Sequence, residues 1–198
     1  MDWPEWIRAR EHWWVLAGAG VTCILAFVIL WVVGLPDVAA VVALDVGSDG
    51  QPIAPVVGAV APSFSVQTTD GDTLTLADLR GSPVILNFWA TWCGPCQVEL
   101  PDLQRLYEER QNTGLRVVGI NVDEAPAVFG PWAAARGLTF VMVADVGAEI
   151  QALFHVRGTP QTIIIDADGV IQAVFYGPLT FNRLERVLDD LVMKQNQP

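Results

Sequence analysis

Lysine is almost missing from this chain: Lys194 is the only one in 198 residues, against 22 acidic side chains and a formal net charge of −11. A surface this poor in cations cannot neutralise a run of phosphates, which excludes nucleic acid as a partner. It equally disfavours a domain pressed onto anionic lipid, and reads as a well-solvated acidic surface. Ligands for a metal are scarce too. A zinc site needs about four nitrogen or sulfur donors, typically from a second Cys-x-x-Cys or a histidine pair. Beyond residue 34 the chain has Cys93, Cys96 and one histidine, His155, alone in a segment that reads as an apolar helix. No metal and no other cofactor is expected. No internal repeat is visible, and "GAG" at 18–20 has no strand before it, so it is no dinucleotide fingerprint.

Charge is absent altogether from residues 13–34, "WWVLAGAGVTCILAFVILWVVG". As a helix at about 1.5 Å per residue this run reaches roughly 33 Å, enough to cross a hydrocarbon core of about 30 Å. Trp13, Trp14 and Trp31 stand near its ends, where indoles favour the membrane interface. The run exceeds the apolar core of a cleavable signal, about 7–15 residues, and only weak cleavage sites follow, so it reads as a retained anchor. Arg8 and Arg10 precede it, whereas Asp37, Asp45 and Asp49 are the first charges after it. Basic flanks stay inside. The expected organisation is a cytoplasmic N-terminus (1–12), a transmembrane anchor (13–34), a linker (35–57) and an extracytoplasmic domain (58–198).

Within that domain the pattern alternates between strand and helix. "SFSVQTTDGDTLTL" reads as a hairpin around Asp70-Gly71. The apolar runs "PVILNFWA" (83–90) and "LRVVGINV" (115–122) read as strands buried on both faces. Between them Leu100, Leu103, Leu106 and Tyr107 share a helix face, and Gly114 follows its end. Pro101 is expected to kink this helix. "APAVFGPWAAARG" reads as a helix interrupted near Pro131, "LTFVMVAD" as a strand and "GAEIQALFHV" as a short helix. Two strands joined by Asp168-Gly169 follow. A closing helix has Thr180 as its candidate N-cap and an apolar stripe of Leu184, Val187, Leu188 and Leu191. The implied class is a three-layer α/β sandwich around a mixed sheet.

Cys23 falls in the membrane span and cannot meet the other two cysteines. Cys93 and Cys96, in "NFWATWCGPCQVELP", are three apart between a buried strand and a helix start. A bridge closing so short a loop would restrict the unfolded chain little, which makes it a poor structural staple. A redox role has a positive argument. At a helix N-terminus the unpaired N–H groups and the dipole stabilise a thiolate, lowering its pKa below about 8.5. Pro95 suits the first turn, where no N–H is needed. Cys96, one turn deeper, would keep its proton longer. Cys93 therefore reads as the attacking sulfur and Cys96 as the resolving one.

With "APSFSVQTTDGDTLTLADLRGSPV" before that motif and "VVGINVDE" and "VRGTPQTIIIDADGVI" after it, residues 58–192 resemble the membrane-anchored, extracytoplasmic thioredoxin-like oxidoreductases. These are the TlpA-like group, which includes the cytochrome c maturation thioredoxins. The resemblance implies a thioredoxin-like fold and a Cys93–Cys96 redox disulfide. It also implies a substrate surface made by Trp92, Gly94, Pro95, Thr159 and Pro160, the last as a cis-proline beside the disulfide. Glu99 matches an acidic residue the group carries after the motif. Positions 96 and 99 share a helix face, so its carboxylate is placed to take the proton of Cys96. An ordinary first-turn acid favouring the helix dipole is the plainer reading of Glu99. Cytosolic thioredoxin has a buried aspartate where this chain has Asn87, which cannot carry a proton.

The expected activity is dithiol-disulfide exchange with extracytoplasmic proteins, as a reductant, with apocytochrome c cysteines as one client class. Electrons would come from a membrane partner of DsbD or CcdA type. Two other readings compete. A thiol peroxidase of the neighbouring peroxiredoxin group would have a threonine three residues before Cys93, where Ala90 stands. A non-catalytic binding or holdase module would not need the cysteine pair.

Overall fold

Apolar alternation and two runs of buried β-branched residues organise the chain seen in the computed structural model, which describes residues 45–46 and 50–195. The expected cytoplasmic segment, the anchor and most of the linker lie outside those residues. Among the described residues no helix is long and apolar enough to cross a membrane. The compact unit to which they belong is Leu44–Pro198, so it starts inside the stretch expected as linker. Two short strands there, β1 (Asp45–Val46) and β2 (Pro52–Ile53), pair antiparallel.

The expected hairpin forms from β3 (Ser65–Gln67) and β4 (Thr73–Thr75), with Ser65 opposite Thr75. Gly71 takes φ +91° in its turn, a conformation that favours glycine. The main sheet comprises β5 (Val84–Trp89), β6 (Arg116–Val122), β7 (Val141–Asp145), β8 (Gln161–Ile165) and β9 (Ile171–Tyr176). Its spatial order is β7-β6-β5-β8-β9. The first three strands are parallel, whereas β8 and β9 run antiparallel to their neighbours, so the sheet is mixed as expected. Every residue of β5 is buried, which is what an uninterrupted apolar strand in the sheet centre requires.

Helices α1 (Gly94–Arg110) and α2 (Pro126–Ala134) make the crossovers from β5 to β6 and from β6 to β7. The short α3 (Glu149–Leu153) follows β7, and α4 (Phe181–Gln195) closes the chain. Alternation along β5 separates the two faces of the sheet. Trp89 packs against Phe129 and Trp132 of α2, and Asn87 points toward α1 through Thr162. Phe88 meets Phe154, just past α3, which in turn packs edge-on to Phe64 before the hairpin. Leu184, Leu188 and Leu191 are buried in the core and Val187 is half-buried, so the α4 stripe is as expected.

Four local expectations are corrected. α2 runs unbroken through Pro131, where an interruption is expected; one missing donor does not stop a helix whose flanking turns are packed. Thr180 holds the N-cap position of α4 as expected, its carbonyl accepting from the Leu184 N–H, but its exposed side chain makes no cap; the Phe181 N–H donates to Asp102 Oδ2 of α1 at 3.0 Å. β7 is shorter than the apolar run suggests, beginning at Val141. His155 lies past the end of α3, exposed and with φ +51°, not within an apolar helix.

Candidate functional site

The buried strand β5 ends at Trp89, and a four-residue connection carries the chain to α1 at Gly94. Cys93 is the N-cap of that helix and is bonded to Cys96, with Cα atoms 5.2 Å apart. The first-turn N–H of Cys96 donates to Cys93 Sγ at 3.2 Å. When the disulfide is opened, that donor and the helix dipole act on whatever charge Cys93 develops. Gly94 and Pro95 are exposed, and Pro95 sits in the first turn where its missing N–H is harmless. Both sulfurs lie under the surface, Cys93 being 4% exposed and Cys96 1%. Trp92 beside them is 66% exposed, an indole left in solvent next to a buried disulfide.

The Thr159-Pro160 peptide is cis. Pro160 is buried, with its carbonyl accepting from the Gly177 N–H at 2.9 Å, and Thr159 is half-buried. β8 starts at the next residue and pairs with β5, placing Gln161 opposite Phe88 and Thr162 opposite Asn87. The β5–α1 connection and the turn before β8 are thereby set at neighbouring strand ends.

Glu99 is not a solvated first-turn acid. It is 1% exposed, one turn beyond Cys96 on α1. Thr162 Oγ1 donates to Glu99 Oε1 at 3.0 Å, and Asn87 Nδ2 donates to Thr162 Oγ1 at 3.0 Å. Burial pushes the Glu99 carboxyl up from 4.5 to about 7. Donation from Thr162 holds it back, helped by the polar Leu179 main chain and Asn87 amide nearby, while the charge of Asp102 adds a little upward push. A carboxyl poised near neutrality takes and returns protons with little penalty.

A second acid near the site escaped the reading of the sequence. Glu124, after β6, receives the Thr91 N–H on Oε2 at 2.8 Å and the Thr91 hydroxyl on Oε1. Asn121 Nδ2 also donates to Oε2 at 2.8 Å, and Gln97 Nε2 donates to the Thr91 carbonyl at 2.7 Å. Every polar group of Thr91, two residues before Cys93, is thus held. Partial burial raises the Glu124 carboxyl, but the hydrogen bonds from Thr91 and Asn121 outweigh it and set it below the ordinary value. The available signal was its place just beyond a parallel strand, the end where open α/β sheets gather their sites.

Comparison with known proteins agrees with this arrangement. Residues 57–174 match the model of the AhpC/TSA family. The thiol-disulfide oxidoreductase ResA of Oceanobacillus iheyensis is 37% identical over 144 residues, covering 71% of this chain and 75% of that protein. A thiol:disulfide interchange protein of the thioredoxin family from Chlorobium tepidum superposes with TM-score 0.63 at 30% identity, over 67% of this chain and 95% of the other. StoA from Bacillus subtilis superposes with TM-score 0.58 at 27% identity, over 65% and 98%.

Proposed function

The chain belongs to the AhpC/TSA family, among its thioredoxin-like thiol-disulfide oxidoreductases, and on that premise we propose that it is a membrane-anchored reductant of extracytoplasmic protein disulfides. The observation that carries this is the Cys93–Cys96 disulfide at the N-terminus of α1, with a main-chain N–H on Cys93 Sγ.

In the proposed cycle the Cys93 thiolate attacks one sulfur of a substrate disulfide, and the other substrate sulfur leaves as a thiolate. Cys96 gives its proton to Glu99 and attacks Cys93 Sγ. The Cys93–substrate bond breaks, the substrate departs with both sulfurs reduced, and the enzyme holds the disulfide seen here. Trp92, Gly94, Pro95, Thr159 and Pro160 form the docking surface, with the Thr159 main chain pairing to an extended substrate segment. Residues 13–34 anchor the domain, with residues 1–12 inside the cell. Electrons return from a membrane thiol carrier of DsbD or CcdA type. Apocytochrome c cysteines are the client class we favour, because the sequence resembles the cytochrome c maturation thioredoxins. A peroxidase role gains nothing from position 90, where a buried alanine offers no hydroxyl.

The test is the reduction potential, by equilibration against glutathione or dithiothreitol. A value near −250 mV or lower, in the range of thioredoxin at about −270 mV, is the expected result for a reductant. A value near −120 mV, as in DsbA, would make the protein an oxidant and reverse the cycle. Cys93→Ser must abolish turnover; retained activity would leave only a binding module.

A further inference from the structure

Asn87 on β5, Thr162 on β8 and Glu99 on α1 come from three elements and are each no more than 1% exposed. Antiparallel pairing sets Asn87 opposite Thr162, and α1 brings Glu99 over the pair. The polarity of the resulting chain is decided by valence. An amide nitrogen only donates, a hydroxyl has one proton, and a carboxylate only accepts. Because Asn87 Nδ2 donates to Thr162 Oγ1, the single Thr162 proton is directed to Glu99 Oε1. Glu99 Oε2 is left buried without a hydrogen-bond partner, as is Asn87 Oδ1. Unsatisfied buried acceptors are uncommon and mark a group that is short of a proton donor.

We propose that Thr162 and Asn87 are positioning residues for the exchange reaction: they occupy one oxygen of Glu99 and leave the other, Oε2, as the atom that takes the proton of Cys96. The inference rests on Glu99 being the proton acceptor for Cys96. It also gives a reason for asparagine at position 87. An aspartate there would accept the Thr162 proton, reverse the chain and strip Glu99 of its donor. Two further groups act on Glu99: the Leu179 main chain, which lies near it without making a hydrogen bond, and Asp102. Asp102, further along α1, is the charged neighbour, and its Oδ2 is engaged by the Phe181 N–H of α4. β5 and β8 contain no charged residue.

The experiment uses the full-length reduced protein and follows single-turnover reduction of glutathione disulfide between pH 5 and 9. Wild type should show a limb in which the rate rises with pH as Glu99 ionises, and Glu99→Gln should lose it. Thr162→Val removes the donor that stabilises the carboxylate, so the limb moves to higher pH by about one unit. The rate at pH 6 then falls about tenfold. Thr162→Ser restores the wild-type profile, and Asn87→Asp moves the limb the same way as valine. A Thr162→Val profile that superposes on wild type, while Glu99→Gln still abolishes the limb, overturns the positioning role and leaves the proton-acceptor role standing. Loss of thermal stability in Thr162→Val with an unmoved limb has the same meaning, a merely structural threonine. An unaltered profile in Glu99→Gln removes the premise and the proposal together.

Discussion

At Glu99 a buried acid and a redox pair share one helix face, and the acid leaves a signature in stability. Its folded pKa, about 7, lies above the ordinary 4.5. Below the lower value both folded and unfolded chains hold the proton. Between the two only the folded chain does, so stability falls as pH rises and the contribution is gone above the higher value. Over that window the oxidised protein should lose up to about 3 kcal/mol of unfolding free energy. Denaturant titrations at pH 4.5, 6 and 8 check this, and Glu99→Gln should flatten the slope. Glu124 acts in the opposite sense. Its depressed pKa contributes stability above the unfolded value that is lost as pH falls through the folded one. Glu124→Ala leaves the Thr91 N–H and hydroxyl without their acceptor. It should cost about 1–3 kcal/mol, read by denaturation, and slow reaction with a protein disulfide by loosening the segment before Cys93.

Among the elements, β6 shows why a glycine stands in the middle of a central strand. A Cβ on Gly119 would come within 2.8 Å of Phe140 Cε2 and 3.0 Å of Trp89 Nε1. Phe140 is fixed in turn by Tyr107 of α1, and Trp89 by two aromatic rings of α2, so neither ring has room to retreat. Gly119→Ala is expected to destabilise by about 1–3 kcal/mol, measured by thermal or denaturant unfolding. A neutral result would mean that the aromatic layer repacks freely. The strands and helices were legible in the sequence because burial imposes a period on apolar residues: β5 and β6 as continuous runs, α4 as a stripe. Caps were less so. Thr180 has the right chemistry for capping α4, but Asp102, 79 residues away, supplies the acceptor. No local pattern announces a cap donated by another helix.

For the whole molecule, the chain's formal charge of −11 favours a well-solvated acidic surface, and the uncharged run at 13–34 is proposed to hold the domain at a membrane. The proposed orientation predicts that protease added outside intact spheroplasts digests the domain, while residues 1–12 stay protected. Digestion only after lysis would place the domain inside and remove the proposed clients. The alternating order of strands and helices was readable from local spacing alone, and the Cys93–Cys96 redox disulfide from the motif and the family resemblance it carries. The tertiary structure alone decided that Glu99 is buried rather than solvated. It also decided that Thr162 and Asn87 complete its surroundings and that Glu124 holds Thr91. Those contacts join residues 33 to 75 positions apart, and separations of that length leave no period in a sequence. They exist once β5, β6 and β8 are laid side by side and α1 is closed over them.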